Sequence, residues 1–176
     1  MCPLFGGERQ SLKREGLACN LSTFWGIKGV QNKAVTKKGP VKIGKGIMMK
    51  EGKDVTIVST GHLVWESIQA SIKLEEIGVS CEVINIHTIK PLDEEIITNS
   101  VKKTNALVSA EEHNFLGGLG ESISRTLSIN YPVPQEFIAT NDTFGESGTP
   151  SELMKKYGLD CDSIILAVKK VIVRKK

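Results

Sequence analysis

Residues 111–120 read Glu-Glu-His-Asn-Phe-Leu-Gly-Gly-Leu-Gly, so two carboxylates and an imidazole are followed by three glycines within four positions. Carboxylates and histidine are the groups that hold or move protons near neutral pH. Glycine lets a backbone turn sharply and approach a neighbour closely. The apolar run before this stretch predicts a buried strand over Ala106–Ala110, and the pattern after it predicts an amphipathic helix over Leu119–Ile129. The order is therefore strand, acid pair with histidine, glycine turn, helix. In an open parallel sheet such a loop leaves the carboxyl end of a strand, where ligands and partners dock. Glu112, His113, Gly117, Gly118 and Gly120 are accordingly the candidate partner or ligand surface. Neighbours on a strand point to opposite faces, so Glu112 and His113 share one cleft only if the chain bends. A simple packing turn is the competing reading of the glycines, although the helix start behind them is also able to accept an anion.

Other groupings carry less. Gly39 to Lys45 has the spacing of a phosphate-binding loop, but Gly46 stands where a serine or threonine would hold magnesium, and no strand precedes it. Gly117-Gly118-Leu119-Gly120 lacks the last glycine of the dinucleotide fingerprint. In Gly145-Glu146-Ser147-Gly148-Thr149 a glycine follows the serine directly, which breaks the pattern of a nucleophile elbow. His62, His87 and His113 show no spacing that converges on a metal. Cys2, Cys19, Cys81 and Cys161 are widely separated with no Cys-x-x-Cys pair, which predicts reduced, structural thiols in a cytoplasmic protein.

The elements that must position these residues can be read from periodicity. Short β-branched runs predict strands over Asp54–Thr60, Cys81–Ile86, Ala106–Ala110 and Glu136–Thr140. Between them, Leu63–Ile77 and a shorter segment from Pro91 or Asp93 to about Lys103 show helical spacing of apolar residues. Thr149-Pro150-Ser151-Glu152 is a helix start, with a capping hydroxyl, a proline at the first turn and a glutamate three residues on. Asp160 or Asp162 caps the last helix, whose final turns carry Lys169, Lys170, Arg174 and Lys175. Strands alternating with helices predict an α/β fold in three layers: an open, mostly parallel sheet of about five strands with helices on both faces.

The 176 residues suffice for one domain plus a tail. With 40% hydrophobic and 24% charged residues the chain reads as soluble and globular, without a membrane span or a secretory signal. The net charge of +3 divides into +8 over residues 1–50 and −5 over residues 51–176. The basic charges of the first part are scattered and few aromatics accompany them, so nucleic acid is not an expected partner. Residues 1–40 show no sustained period and are expected to be irregular, with the domain spanning 41–176.

Taken in order, several segments over about residues 42–173 resemble the C-terminal domain of transketolases and related thiamine-diphosphate enzymes. They are Gly44-Lys45-Gly46-Ile47, Glu51 to Gly61, Thr88-Ile89-Lys90-Pro91-Leu92-Asp93, Glu111-Glu112-His113 with Gly117-Gly118-Leu119-Gly120, and Asp142 to Pro150. The first three are also similar to the β subunits of 2-oxo acid dehydrogenases. The Phe144-Gly145-Glu146-Ser147-Gly148 segment is more similar to transketolases made as two shorter chains. The resemblance implies two-carbon ketol transfer between sugar phosphates, with thiamine diphosphate and magnesium in the complete enzyme. In that family the cofactor lies between two other domains, and residues 1–40 resemble neither. The resemblance therefore gives this chain no catalytic residue, no cofactor-binding residue and no metal ligand. It implies an assembly role, with the N-terminal transketolase section or pyrimidine-binding domain as partner and a homo- or hetero-oligomer as the product. Two other readings of the same residues are a non-enzymatic docking module and a fragment of a 2-oxo acid dehydrogenase β chain.

Overall fold

The computed structural model describes residues 42–175. The irregular segment expected over residues 1–40, Cys2, Cys19 and the start of the Gly39–Lys45 loop lie outside the described residues. The elements in chain order are β1 (Ile47–Lys50), β2 (Val55–Ser59), α1 (Leu63–Glu76), β3 (Cys81–Asn85), α2 (Glu94–Thr104), β4 (Leu107–Asn114), α3 (Leu119–Asn130), β5 (Gln135–Thr140), α4 (Pro150–Lys156) and α5 (Cys161–Arg174). They form one five-stranded sheet in the order β1-β3-β2-β4-β5.

Every residue of β2 and of β3 is buried, and so are the first five of β4. Strands out of water on both faces need helices on both faces, and parallel neighbours need crossovers to return the chain. Both conditions are met. Val55 and Ile57 of β2, Val83 of β3 and Val108 of β4 pack with α1 and α5 in one core. Val58, Ile84 and Leu107 alternate to the other face and pack with Ile97 and Val101 of α2 and Ile123 and Leu127 of α3. Fully burying one such side chain contributes about 1.5–3 kcal/mol, so the two cores carry the stability of the fold.

Two strands differ from the periodicity reading. β1 was not foreseen as an element. It pairs antiparallel to β3, with Ile47 opposite Asn85, as the edge of an otherwise parallel sheet. Its four residues are too few to show a period, and pairing rather than pattern makes it a strand. β4 continues four residues past Ala110, because parallel pairing with β5 extends to Asn114 opposite Thr140.

The helix ends follow local chemistry. Asp93 caps α2, its Oδ1 accepting from the Ile96 N–H at 3.4 Å, and Asp160 rather than Asp162 caps α5, accepting from the Ser163 N–H at 2.9 Å. At α4 Glu152 reaches back to accept from both the backbone N–H and the hydroxyl of Thr149, which holds its carboxyl below the usual range. The basic end of α5 ties down the opposite edge of the sheet. Lys170 and Arg174 both donate to Glu136 on β5, and Lys175 donates to the Asp54 carbonyl at the start of β2.

Partial burial alone would raise the Glu136 carboxyl, but the hydrogen bonds from Lys170 and Arg174 outweigh it and hold the group below its ordinary value of 4.5. A carboxyl lowered on folding binds fewer protons in the native state, so its stabilisation is present above the unfolded pKa and is lost as pH falls through the native one. Glu136→Gln is therefore expected to flatten the acid limb of stability below about pH 4.5. Urea unfolding of both proteins between pH 6 and 3 checks this; parallel curves would show that the pair contributes nothing.

Candidate functional site

The candidate site is built on the end of β4 and the start of α3. Alternation along β4 sends Leu107, Ser109 and Glu111 toward the layer of α2 and α3. Glu111 is only 1% exposed. An isolated buried carboxylate is costly unless hydrogen bonds replace its water. Two backbone donors do so: the Leu119 N–H donates to Oε2 at 2.7 Å and the Gly120 N–H to Oε1 at 2.8 Å. These are the first amides of α3, where orphan donors and the positive end of the helix dipole favour an anion. The anion that the helix start was able to accept is thus supplied by the chain itself.

The glycines make that approach possible. A Cβ on Gly118 would lie 2.2 Å from Glu111 Oε2, and one on Gly120 would lie 2.7 Å from the Phe137 ring and 2.8 Å from Ser109 Oγ. Gly117 has φ +77°, in the left-handed region that side chains rarely adopt, and its N–H donates to Glu121. Gln135 completes the support from β5, donating to Ser109 Oγ at 3.1 Å and to the Gly120 carbonyl at 3.0 Å while accepting from Ser124.

The five candidate residues therefore divide. Glu112, His113 and Gly117 are exposed, whereas Gly118 and Gly120 are buried and serve the close packing around Glu111. The loop tip is braced by Asn114, which donates to Asp142 at 2.8 Å and accepts from the Leu116 N–H at 2.9 Å. His113 Nδ1 lies 3.0 Å from the Asn114 carbonyl and makes no contact that would pair it with Glu112 in acid–base work. Glu111 was read only as a possible acid–base group, and its capping role was missed. The available signal was its parity with Leu107 and Ser109, which places it on a covered face opposite the glycines.

The remaining motifs resolve locally. The Gly46 N–H donates to Asp93 Oδ2 at 2.9 Å, and Lys45 lies 3.7 Å from the same carboxylate, so an acidic side chain takes the groups that a phosphate would need. Asp93 thus caps α2 and clamps the start of β1 at once, a second role that sequence reasoning missed. His62 stands at the start of α1 beside Glu66, and His87 Nε2 lies 2.9 Å from the Lys42 carbonyl. Among the described residues no group of three His, Cys, Asp or Glu is placed to hold a metal. Burial pushes the Cys81 thiol up to about 12 and also raises that of Cys161, so neither is a thiolate nucleophile at neutral pH. Ser147 lies in an exposed segment that delivers the chain into α4.

Glu111→Gln removes one acceptor and turns an amide NH2 toward a helix N–H. It is expected to cost about 1–3 kcal/mol in urea unfolding and to speed amide exchange at residues 112–120. Gly118→Ala should do the same by displacing the carboxylate, whereas Glu112→Gln on the exposed side should stay within about 0.5 kcal/mol of the parent. Equal effects from Glu111→Gln and Glu112→Gln would remove the capping role.

Residues 44–164 match the family described as transketolase, C-terminal domain. The chain is 41% identical over 133 residues to the 6-deoxy-6-sulfo-D-fructose transketolase subunit SqwH of Clostridium sp. (strain MSTE9), covering 76% of this chain and 41% of that protein. It is 42% identical over 124 residues to a putative transketolase C-terminal section of Methanocaldococcus jannaschii, covering 70% of this chain and 38% of that protein. Among solved structures it is similar to a split gene transketolase, inactive beta4 tetramer, with a TM-score of 0.76 and 40% identity over 78% of this chain and 45% of that one. The chain thus spans less than half the length of these relatives. Among the described residues no helix is long and apolar enough to cross a membrane. The match across both cores and the β4–α3 loop makes this chain a member of the transketolase C-terminal domain family.

Proposed function

We propose that the chain is the C-terminal piece of a transketolase, in which it supports assembly rather than the chemistry itself. The reaction of the whole is transfer of a two-carbon ketol unit between sugar phosphates. The observation that carries this reading is the family match over residues 44–164 on a chain that reaches less than half the length of its relatives. Thiamine diphosphate and magnesium belong to the complete enzyme in this reading, bound by a cofactor-binding polypeptide that this chain joins. When bound, the thiamine cofactor supplies the carbanion chemistry that carries the ketol unit.

The contribution of this chain's own residues is structural. Glu111 fixes the start of α3, and the exposed Glu112, His113 and Gly117 then form part of the contact with the larger assembly. A cytoplasmic assembly of two or more chains completes the reading, and relatives that carry subunit names support the assembly.

The full chain titrated with thiamine diphosphate and magnesium in a calorimeter is expected to give no saturable heat in the micromolar range, and to transfer no ketol unit from xylulose 5-phosphate. Micromolar binding of the cofactor by this chain alone would overturn the proposal.

A further inference from the structure

Among the described residues four buried side-chain atoms have no hydrogen-bond partner: Ser59 Oγ, Glu82 Oε1, His87 Nδ1 and Thr88 Oγ1. Glu82 lies at the start of β3, and its other oxygen accepts from Lys103. The remaining three lie at the carboxyl ends of β2 and β3, which are neighbours in the sheet. Buried polar atoms are nearly always paired, so orphans at two adjoining strand ends call for an occupant.

Ser59 is fully buried, and its parity with Val55 and Ile57 turns it toward the layer of α1. α1 starts four residues later at Leu63, which belongs to the same core. Its N-terminus has no side-chain cap, and the Val64 and Trp65 amides turn back to the Gly61 and His62 carbonyls at 3.4 and 3.1 Å. Glu66, the acid of its first turn, is committed to the Cys161 N–H at 3.0 Å. The turn has room, since a Cβ on Gly61 would meet nothing within 4 Å. Asn85 stands opposite Ser59 in the register, and the Ile86 N–H donates to the Ser59 carbonyl at 2.9 Å, so His87 follows beside the same turn. β2 and β4 are neighbours whose chains leave to opposite faces, through α1 and α3, and such a switch point is where open α/β sheets hold ligands.

The donors and acceptors specify the chemistry of the ligand. A helix start and a serine hydroxyl offer hydrogens to an oxyanion. His87 has the opposite requirement. Its Nε2 hydrogen goes to the Lys42 carbonyl at 2.9 Å, so a neutral ring keeps Nδ1 as a bare acceptor. An oxyanion that also carries a proton satisfies both. We propose that the end of β2 and the uncapped start of α1 form a binding site for inorganic hydrogen phosphate, with Ser59 Oγ donating to the ligand and His87 Nδ1 accepting from its P–OH. Sulfate has the same shape but no proton near neutral pH. It leaves Nδ1 unpaired, and a buried polar group left unpaired separates similar ligands strongly. The site goes beyond the assembly role and does not depend on it.

Titration of the full chain with inorganic phosphate at pH 8, followed through amide NMR shifts, tests this. Saturable shifts are expected at residues 60–64 and 87, with sulfate weaker by about tenfold or more. Ser59→Ala should weaken phosphate by about tenfold, as for one lost hydrogen bond to a charged group. The same variant without phosphate should be at least as stable as the parent in urea, because it removes an orphaned hydroxyl. Shifts that never saturate, or that sulfate matches, would mean an adventitious ion only and overturn the site. Unchanged phosphate affinity in Ser59→Ala would overturn it as well. If that variant does not fold by circular dichroism, the comparison of phosphate with sulfate on the parent chain decides.

Discussion

A strand with no side chain in water cannot lie at a surface, and β2 is such a strand along its whole length. Its two faces must be covered by different helices, and its parallel neighbours cannot be reached by tight turns. From that constraint follows the placement of α1 and α5 on one side, α2 and α3 on the other, and the gathering of every β-to-α connection at one end. The chain leaves β2 toward β3 through α1 and leaves β3 toward β4 through α2, crossing the sheet in opposite senses on opposite faces. The loop at 111–120 has its position because β4 is the other immediate neighbour of β2.

Within that frame, Glu111 shows how a local charge can be absorbed by architecture. A carboxylate at the end of a buried strand needs donors, and a helix start offers donors that lack partners. The two come within hydrogen-bonding distance because Gly118 has no Cβ to strike the carboxylate, while the bare Gly120 lets the first turn of α3 lie close against Phe137 and Ser109. A related solution recurs on the same face of the sheet, where Asp93 satisfies the start of α2 and the incoming Gly46 amide together. In both cases a side chain from this domain fills a place that looks, by motif alone, like a phosphate or ligand site.

Much of the fold was legible because β-branched runs such as Val55 to Ser59 and helical spacing such as Ile123 to Leu127 are strong local signals. β1 was not, because Ile47–Lys50 has no pattern of its own and becomes a strand through its register with β3. The extension of β4 was hidden because charge normally ends a buried run, while here pairing with β5 carries Glu111 to Asn114 onward. The candidate residues lie together where β4 passes into α3, and their division into exposed Glu112, His113 and Gly117 and buried Gly118 and Gly120 depends on where α3 packs. Parity with Leu107 and Ser109 puts Glu111 on a covered face, but its capping role stays hidden until the Leu119 and Gly120 donors are placed.

The final helix has a geometric consequence. α5 starts beside Glu66 in the first turn of α1 and ends with Arg174 on the carbonyl of Gln135 and Lys175 on that of Asp54, both at strand beginnings. Lys42 and Lys175 therefore sit at opposite poles of the domain. A fluorophore, affinity handle or surface linker joined beyond α5 would face away from the pole at which the chain arrives. Immobilised in that orientation, the molecule would leave its incoming side open to solution, whereas a handle placed just ahead of Lys42 would crowd it.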